Sequence, residues 1–98
     1  MVKRVTWTPR AQNERKEVLK YWIRRTKSKT YSQKLNLLIK QAIRLIREYP
    51  KIGKPTDIDN VRIKIVRDYL IFYELVEDEL HILAFWDSRQ NPEKLKLK

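Results

Sequence analysis

The 98-residue sequence has no cysteine, a single histidine (His81) and a single glycine (Gly53). Without cysteine there is no disulfide, no thiol nucleophile and no thiolate zinc site. One histidine cannot build a histidine cluster around a metal. One glycine excludes a P-loop and a G-x-G-x-x-G dinucleotide fingerprint, and no G-x-S-x-G elbow occurs. No metal and no cofactor is therefore expected. Long apolar runs are also missing. The longest, Tyr69 to Tyr73 and Ile82 to Trp86, are far too short to cross a bilayer. No apolar stretch follows the basic residues of MVKRVTW, so no signal peptide is expected. These readings lead to a soluble, cytoplasmic protein with no membrane partner.

What is present is charge. The chain carries 23 Lys+Arg against 12 Asp+Glu, a formal net charge of +11. The excess is uneven: residues 1–54 hold 16 Lys+Arg and 3 acids, residues 55–98 hold 7 and 9. Such asymmetry suits an anionic partner, whether nucleic acid, an acidic protein segment or a membrane surface, and it also suits a plain solubility face. Hydrophobic residues at 42% are enough for a core. The class that survives is a small basic binder, or an enzyme that works with Arg, Lys, carboxylates and hydroxyls.

No repeat or linker divides the chain, so residues 1–98 form one domain. Residues 2–7 read as a short strand. Thr8-Pro9 reads as an N-cap followed by proline at the first helical position. From Pro9 to about Thr26, Ala11, Val18, Leu19, Trp22 and Ile23 share one side at helical spacing. A second helix, from about Tyr31 to Tyr49, carries a wide stripe of Leu35, Leu38, Ile39, Ala42, Leu45, Ile46 and Tyr49. Pro50 and the segment Ile52-Gly53-Lys54-Pro55 end it. The period then becomes two: Val61, Ile63 and Ile65 alternate with Arg62 and Lys64. Tyr69–Val76 reads as a central strand, Glu77-Asp78-Glu79 as a hairpin turn, and Leu80–Trp86 as a last strand. A turn at DSRQNP precedes a short helix expected from Pro92. The predicted class is α+β, in the order β-α-α-β-β-β, with two helices on one face of a small antiparallel sheet.

Arg62 and Lys64 are the most informative pair. Two apart on a strand, they share the face opposite Val61, Ile63 and Ile65. If the apolar set meets the helices, both cations lie on an open face, where they could clamp a phosphate or simply discourage edge pairing. Arg67 could join them or pair with Asp68 or Asp87. Arg89, just past the last strand, sits where loops often carry function, or it pairs with Asp87. His81 could serve as a general base or be an ordinary packed histidine. Trp7, Trp22, Trp86, Tyr69, Phe72 and Tyr73 read as core.

The order β-α-α-β-β-β, the helix-ending YPKIGKP, the strand pair VRIKIVRDYLIFYEL and the ending ILAFWDSRQNPEKL together resemble the RelE/ParE superfamily of type II toxin–antitoxin toxins. The resemblance covers nearly the whole chain. It implies a small bacterial toxin neutralised by a cognate antitoxin, whose toxin-binding segment is often acidic. Operator DNA is then reached through the antitoxin. RelE-like members are metal-independent, ribosome-dependent endoribonucleases of mRNA, whereas ParE-like members inhibit DNA gyrase. Arg62 and Lys64 match two basic positions of RelE, and Arg89 matches a third. A further RelE arginine is Leu70 here, and the C-terminal catalytic tyrosine has no counterpart at Leu95, Lys96 or Leu97. YLIFY looks more like ParE. The expected function is a ParE-like gyrase inhibitor. The alternative is a RelE-like RNase that uses Arg62, Lys64 and Arg89 on the scissile phosphate, with Arg67 in the same nucleic-acid surface and His81 or Tyr69 as substitutes for the missing groups. A third reading is a toxin fold that only binds antitoxin and operator DNA. Convergence of Arg62, Lys64, Arg67 and Arg89 on one open surface separates the RNase reading from the others.

Overall fold

A computed structural model describes residues 2–90, Leu95 and Leu97. The elements run β1 (Arg4–Trp7), α1 (Pro9–Thr26), α2 (Thr30–Glu48), β2 (Lys54–Pro55), β3 (Val61–Val66), β4 (Tyr69–Val76) and β5 (Glu79–Asp87). The predicted order is present, with β2 as an addition too short to show in any periodicity. The strands form one sheet in the order β1-β5-β4-β3-β2. Its neighbours are antiparallel except β1 and β5, which are parallel, with Arg4 opposite Glu79 and Trp7 opposite Ile82. The turn expected over residues 77–79 is one residue shorter, because Glu79 already belongs to β5. The helix expected from Pro92 lies outside the described residues.

Thr8 explains why α1 begins where it does. Its backbone is extended and its hydroxyl accepts from Ala11 N at 3.2 Å, with Pro9 at the first helical position. The same hydroxyl donates to Leu83 O, and Thr8 N donates to Ile82 O. The cap thus joins helix to sheet, which is worth about 1 kcal/mol for the capping bond alone. Beyond Trp7 the edge of β5 has no strand, and Glu14 of α1 takes over by accepting from Phe85 N at 3.0 Å. The helix N-terminus seals the edge where β1 stops.

Helix α2 buries Leu35, Ile39, Ala42 and Ile46 against the sheet. Ser32, also buried, donates to Leu19 O and so links the two helices. Beneath them lie Ile71, Tyr73, Leu80, Ile82 and Phe85. Each fully buried Ile or Leu contributes roughly 1.5–3 kcal/mol. Trp22 Nε1 donates to Tyr69 Oη at 2.8 Å, and Tyr69 stacks on Phe85 at 5.0 Å. Burial pushes the Tyr69 hydroxyl above its ordinary pKa. On the outer helix surfaces Lys16, Lys20 and Arg24 follow one another at four-residue spacing, as do Lys40 and Arg44. Like charges at this spacing each oppose the helix by about 0.2–0.5 kcal/mol.

The sheet has a second apolar face. Val61, Phe72 and Ala84 are buried there, with Ile63, Leu70, Trp86, Leu95 and Leu97 packed around them. A bulge at Leu83 produces the change of parity within β5, since Phe72 faces Ala84 while Tyr73 faces Ile82. This second layer overturns the expected orientation of β3. Lys64 pairs with Ile71 and Arg62 with Tyr73, both residues of the helix-side core. Arg62 and Lys64 therefore lie on the helix side, and Val61 and Ile63 face the opposite layer.

Candidate functional site

The two cations on β3 have different surroundings. Arg62 Nη1 donates to Gly53 O at 2.8 Å and to Lys51 O at 3.2 Å. These carbonyls belong to the loop that closes α2. The same loop is held by Tyr73, whose hydroxyl accepts from Gly53 N at 2.9 Å and donates to Pro50 O at 2.7 Å. Arg62 is a strut under this loop. Lys64 lies further along the strand, half-buried beside Leu38, Ala42 and Leu45 of α2. It has no ion pair among the described residues.

Arg67 is exposed and opens the two-residue turn between β3 and β4 with a left-handed φ of 56°. Neither of its expected partners, Asp68 or Asp87, pairs with it among the described residues. Lys64 and Arg67 flank a shallow groove at the seam of α2 and β3, floored by Leu38, Ala42, Leu45 and Val66. Ile65 stands at its edge, 62% exposed. Because β2 pairs only with Arg62 and Ile63, the outer edge of β3 has no strand beside Ile65. Composition could not reveal this edge, because it follows from a two-residue strand.

Arg89 follows β5, one strand over from the β3–β4 turn, where Asp87 is opposite Tyr69 and Ser88 N donates to Asp68 O at 2.8 Å. Its guanidinium grips Asp87, Nε to Oδ1 at 2.9 Å and Nη2 to Oδ2 at 2.8 Å, and its backbone N also donates to Oδ1. This hydrogen bonding holds the Asp87 carboxyl below its usual pKa and raises that of Arg89. Asp87 therefore adds stability that is fully present above the unfolded carboxylate pKa, near 4, and lost as pH falls through its lower folded value. Because the Arg89 side chain is 59% exposed, the expected effect is small. Asp87→Asn should cost roughly 0.5–1 kcal/mol at pH 7. Urea midpoints of variant and parent should draw together as the pH falls below the unfolded carboxylate pKa, near 4.

His81 turns away from Leu80 and Ile82, as the alternation predicts, onto the face opposite the helices. Its Nε2 lies 3.2 Å from Glu79 Oε1, while Arg4 Nη2 donates to Glu79 Oε2 at 2.6 Å. His81 first and Arg4 second hold the Glu79 carboxyl below its ordinary pKa. This cluster joins β1 to β5 on the face away from Lys64. The four cations therefore line three separate hollows: Arg62 beside the loop after α2, Lys64 and Arg67 at the α2–β3 seam, and Arg89 between α1 and the end of β5. They do not converge. Among the described residues no three His, Asp or Glu side chains gather as a metal site, and no helix is long and apolar enough to cross a membrane.

The family model of the ParE toxin of type II toxin–antitoxin system, parDE, matches residues 5–92. The chain belongs to the ParE toxin family. A solved structure described as the chromosomal ParDE TA system from P. aeruginosa is similar to it, with a TM-score of 0.67. Identity is 13%, over 86% of this chain and 94% of that one, so the likeness is one of fold. No curated protein matches the sequence. Within a ParE-family chain the reading of YLIFY acquires a structural meaning. Leu70 pairs with Ile65 and Trp86 and is half-buried on the second apolar face, where it packs against the cluster of Val61, Phe72 and Ala84.

Proposed function

We propose that this chain is a growth-inhibiting toxin that acts by binding DNA gyrase and is neutralised by a cognate antitoxin with an acidic toxin-binding segment. The observation that carries the reading is the engagement of the candidate RNase cations. Arg62 is committed to two loop carbonyls and Arg89 to Asp87, in different parts of the molecule. Phosphoryl chemistry needs charges preorganised around one reacting centre, and these side chains are organised around the fold instead. Membership of the ParE family supports gyrase as the target over the ribosome. The α2–β3 groove, apolar within and flanked by Lys64 and Arg67, suits an antitoxin segment with apolar and acidic side chains. Operator DNA is then reached through the antitoxin.

The test uses purified toxin in two parallel assays. Supercoiling by gyrase should fall as toxin approaches equivalence with the enzyme, and a translating extract should show no cuts at the ribosomal A site. Normal supercoiling at saturating toxin would overturn the proposal, and A-site cleavage would restore the RNase reading.

A further inference from the structure

Residues 18–47 contain nine Lys+Arg and no Asp or Glu. Six of the nine, Lys20, Arg24, Arg25, Lys27, Lys29 and Lys34, gather where α1 turns into α2, and all six are exposed. None has an ion pair among the described residues. Two of them break local helix preferences in the same direction. Lys27 is the left-handed residue that ends α1, with φ of 56°, a position that favours glycine or asparagine. Lys29 is the N-cap of α2 and makes no side-chain capping bond, although an N-cap favours Ser, Thr, Asp or Asn and the positive end of the helix disfavours a cation. A surface tuned only for solubility would mix both signs. Local rules broken together toward one charge mark a surface shaped by an anionic partner.

We infer that the α1–α2 tip binds the phosphate backbone of duplex DNA directly, without the antitoxin. The chemistry of the tip selects this partner. Between residues 20 and 34 the one exposed large hydrophobic side chain is Tyr21. Protein interfaces are built around apolar and aromatic residues and are poor in lysine, and single-stranded nucleic acid is held by rows of stacking aromatics. The tip instead offers cations on a turn held together by its own hydroxyls, Thr26 donating to Trp22 O and Ser28 to Thr30 Oγ1, so the contacts it can make are the Lys and Arg contacts that position a protein on duplex phosphates. The other exposed large apolar residues, Leu37, Tyr49, Ile52, Ile65 and Val76, all fall outside residues 20–34. The inference stands apart from the choice of gyrase as target, since it concerns DNA alone.

The experiment titrates toxin, without antitoxin or gyrase, against two unrelated duplexes of about 20 base pairs by fluorescence anisotropy over a salt series. Both should bind alike, with dissociation constants of about 10⁻⁴ to 10⁻⁶ M and a log–log salt slope of roughly −3 to −5. The variant Arg25→Gln/Lys27→Gln/Lys29→Gln should lose at least about tenfold in affinity and about two to three in slope. Lys20→Gln/Arg24→Gln/Lys34→Gln changes only exposed helix positions and should do the same, which guards against a misfolded turn. A charge-matched control, Lys3→Gln/Lys51→Gln/Lys54→Gln, should lose less than about threefold. Equal losses in tip and control variants would overturn the inference, because they would show diffuse charge. So would absence of duplex binding at about 50 mM NaCl, or tighter binding to polyglutamate or to single-stranded RNA of the same length.

Discussion

Replacing Gly53 with alanine is expected to lower stability by about 3 kcal/mol, beyond the usual cost of a surface substitution. The glycine is not there for an unusual φ. It is there because a Cβ would stand 2.3 Å from Tyr73 Oη, 2.7 Å from Tyr73 Cε1 and 2.9 Å from Ile63 O. Tyr73 cannot swing away cheaply, since it is 1% exposed and its hydroxyl bonds both Gly53 N and Pro50 O. Making room therefore breaks bonds as well as packing. For a domain of this size the loss corresponds to a fall of roughly 12–24 °C in Tm. Tyr73→Phe should cost about 1–3 kcal/mol by stranding the same two backbone groups. In that background Gly53→Ala should cost less than in the parent, because the closest contact has gone. Thermal or urea unfolding of both single variants and the double variant checks this, and strict additivity would show that the two sites act independently.

The second large effect separates the two cations of β3. Arg62→Ala should cost about 2 kcal/mol, because two charge-assisted bonds to the loop carbonyls are lost. Lys64→Ala should stay within about 0.5 kcal/mol, since Lys64 bonds nothing comparable among the described residues. Arg62→Lys should recover little, because a single ammonium on a shorter reach cannot span both carbonyls. A phosphate clamp makes the opposite forecast: Lys64→Ala alone would abolish toxicity in a fully folded protein. Unfolding midpoints measured beside growth inhibition for the three variants distinguish a strut from a clamp.

Much of this architecture could be read from the residues. Thr8-Pro9 marks the start of α1, the stripe from Leu35 to Ile46 marks the buried side of α2, and the tight turns after Val66 and Val76 set the hairpin registers. The orientation of β3 is not legible from its own alternation, for a physical reason. Apolar alternation says that Val61, Ile63 and Ile65 share a face, but it does not say which layer that face meets. The sheet is covered on both sides, so an apolar set is no longer a pointer to the helices. The deciding signal lay in the neighbouring strand. A two-residue turn at Arg67-Asp68 places Lys64 opposite Ile71 and Val61 opposite Glu74. The set containing Glu74 is the less apolar half of β4, and that set faces away from the main core. The two-residue β2 and the bulge at Leu83 had no comparable signature, since both depend on contacts between distant segments.

The parallel pairing of β1 with β5 bears on how the toxin comes into being. Arg4 meets its partner Glu79 only after 75 intervening steps of chain. The N-terminal strand is synthesised first but has no partner until β5 exists, and Thr8, which anchors α1, depends equally on Ile82 and Leu83. Closing so long a loop is slow and yields nothing until it is complete. A nascent chain therefore carries its helical hairpin well before it carries a finished sheet. Until β5 is in place, neither β1 nor the Thr8 anchor has its partner, so both attachments close in one late step.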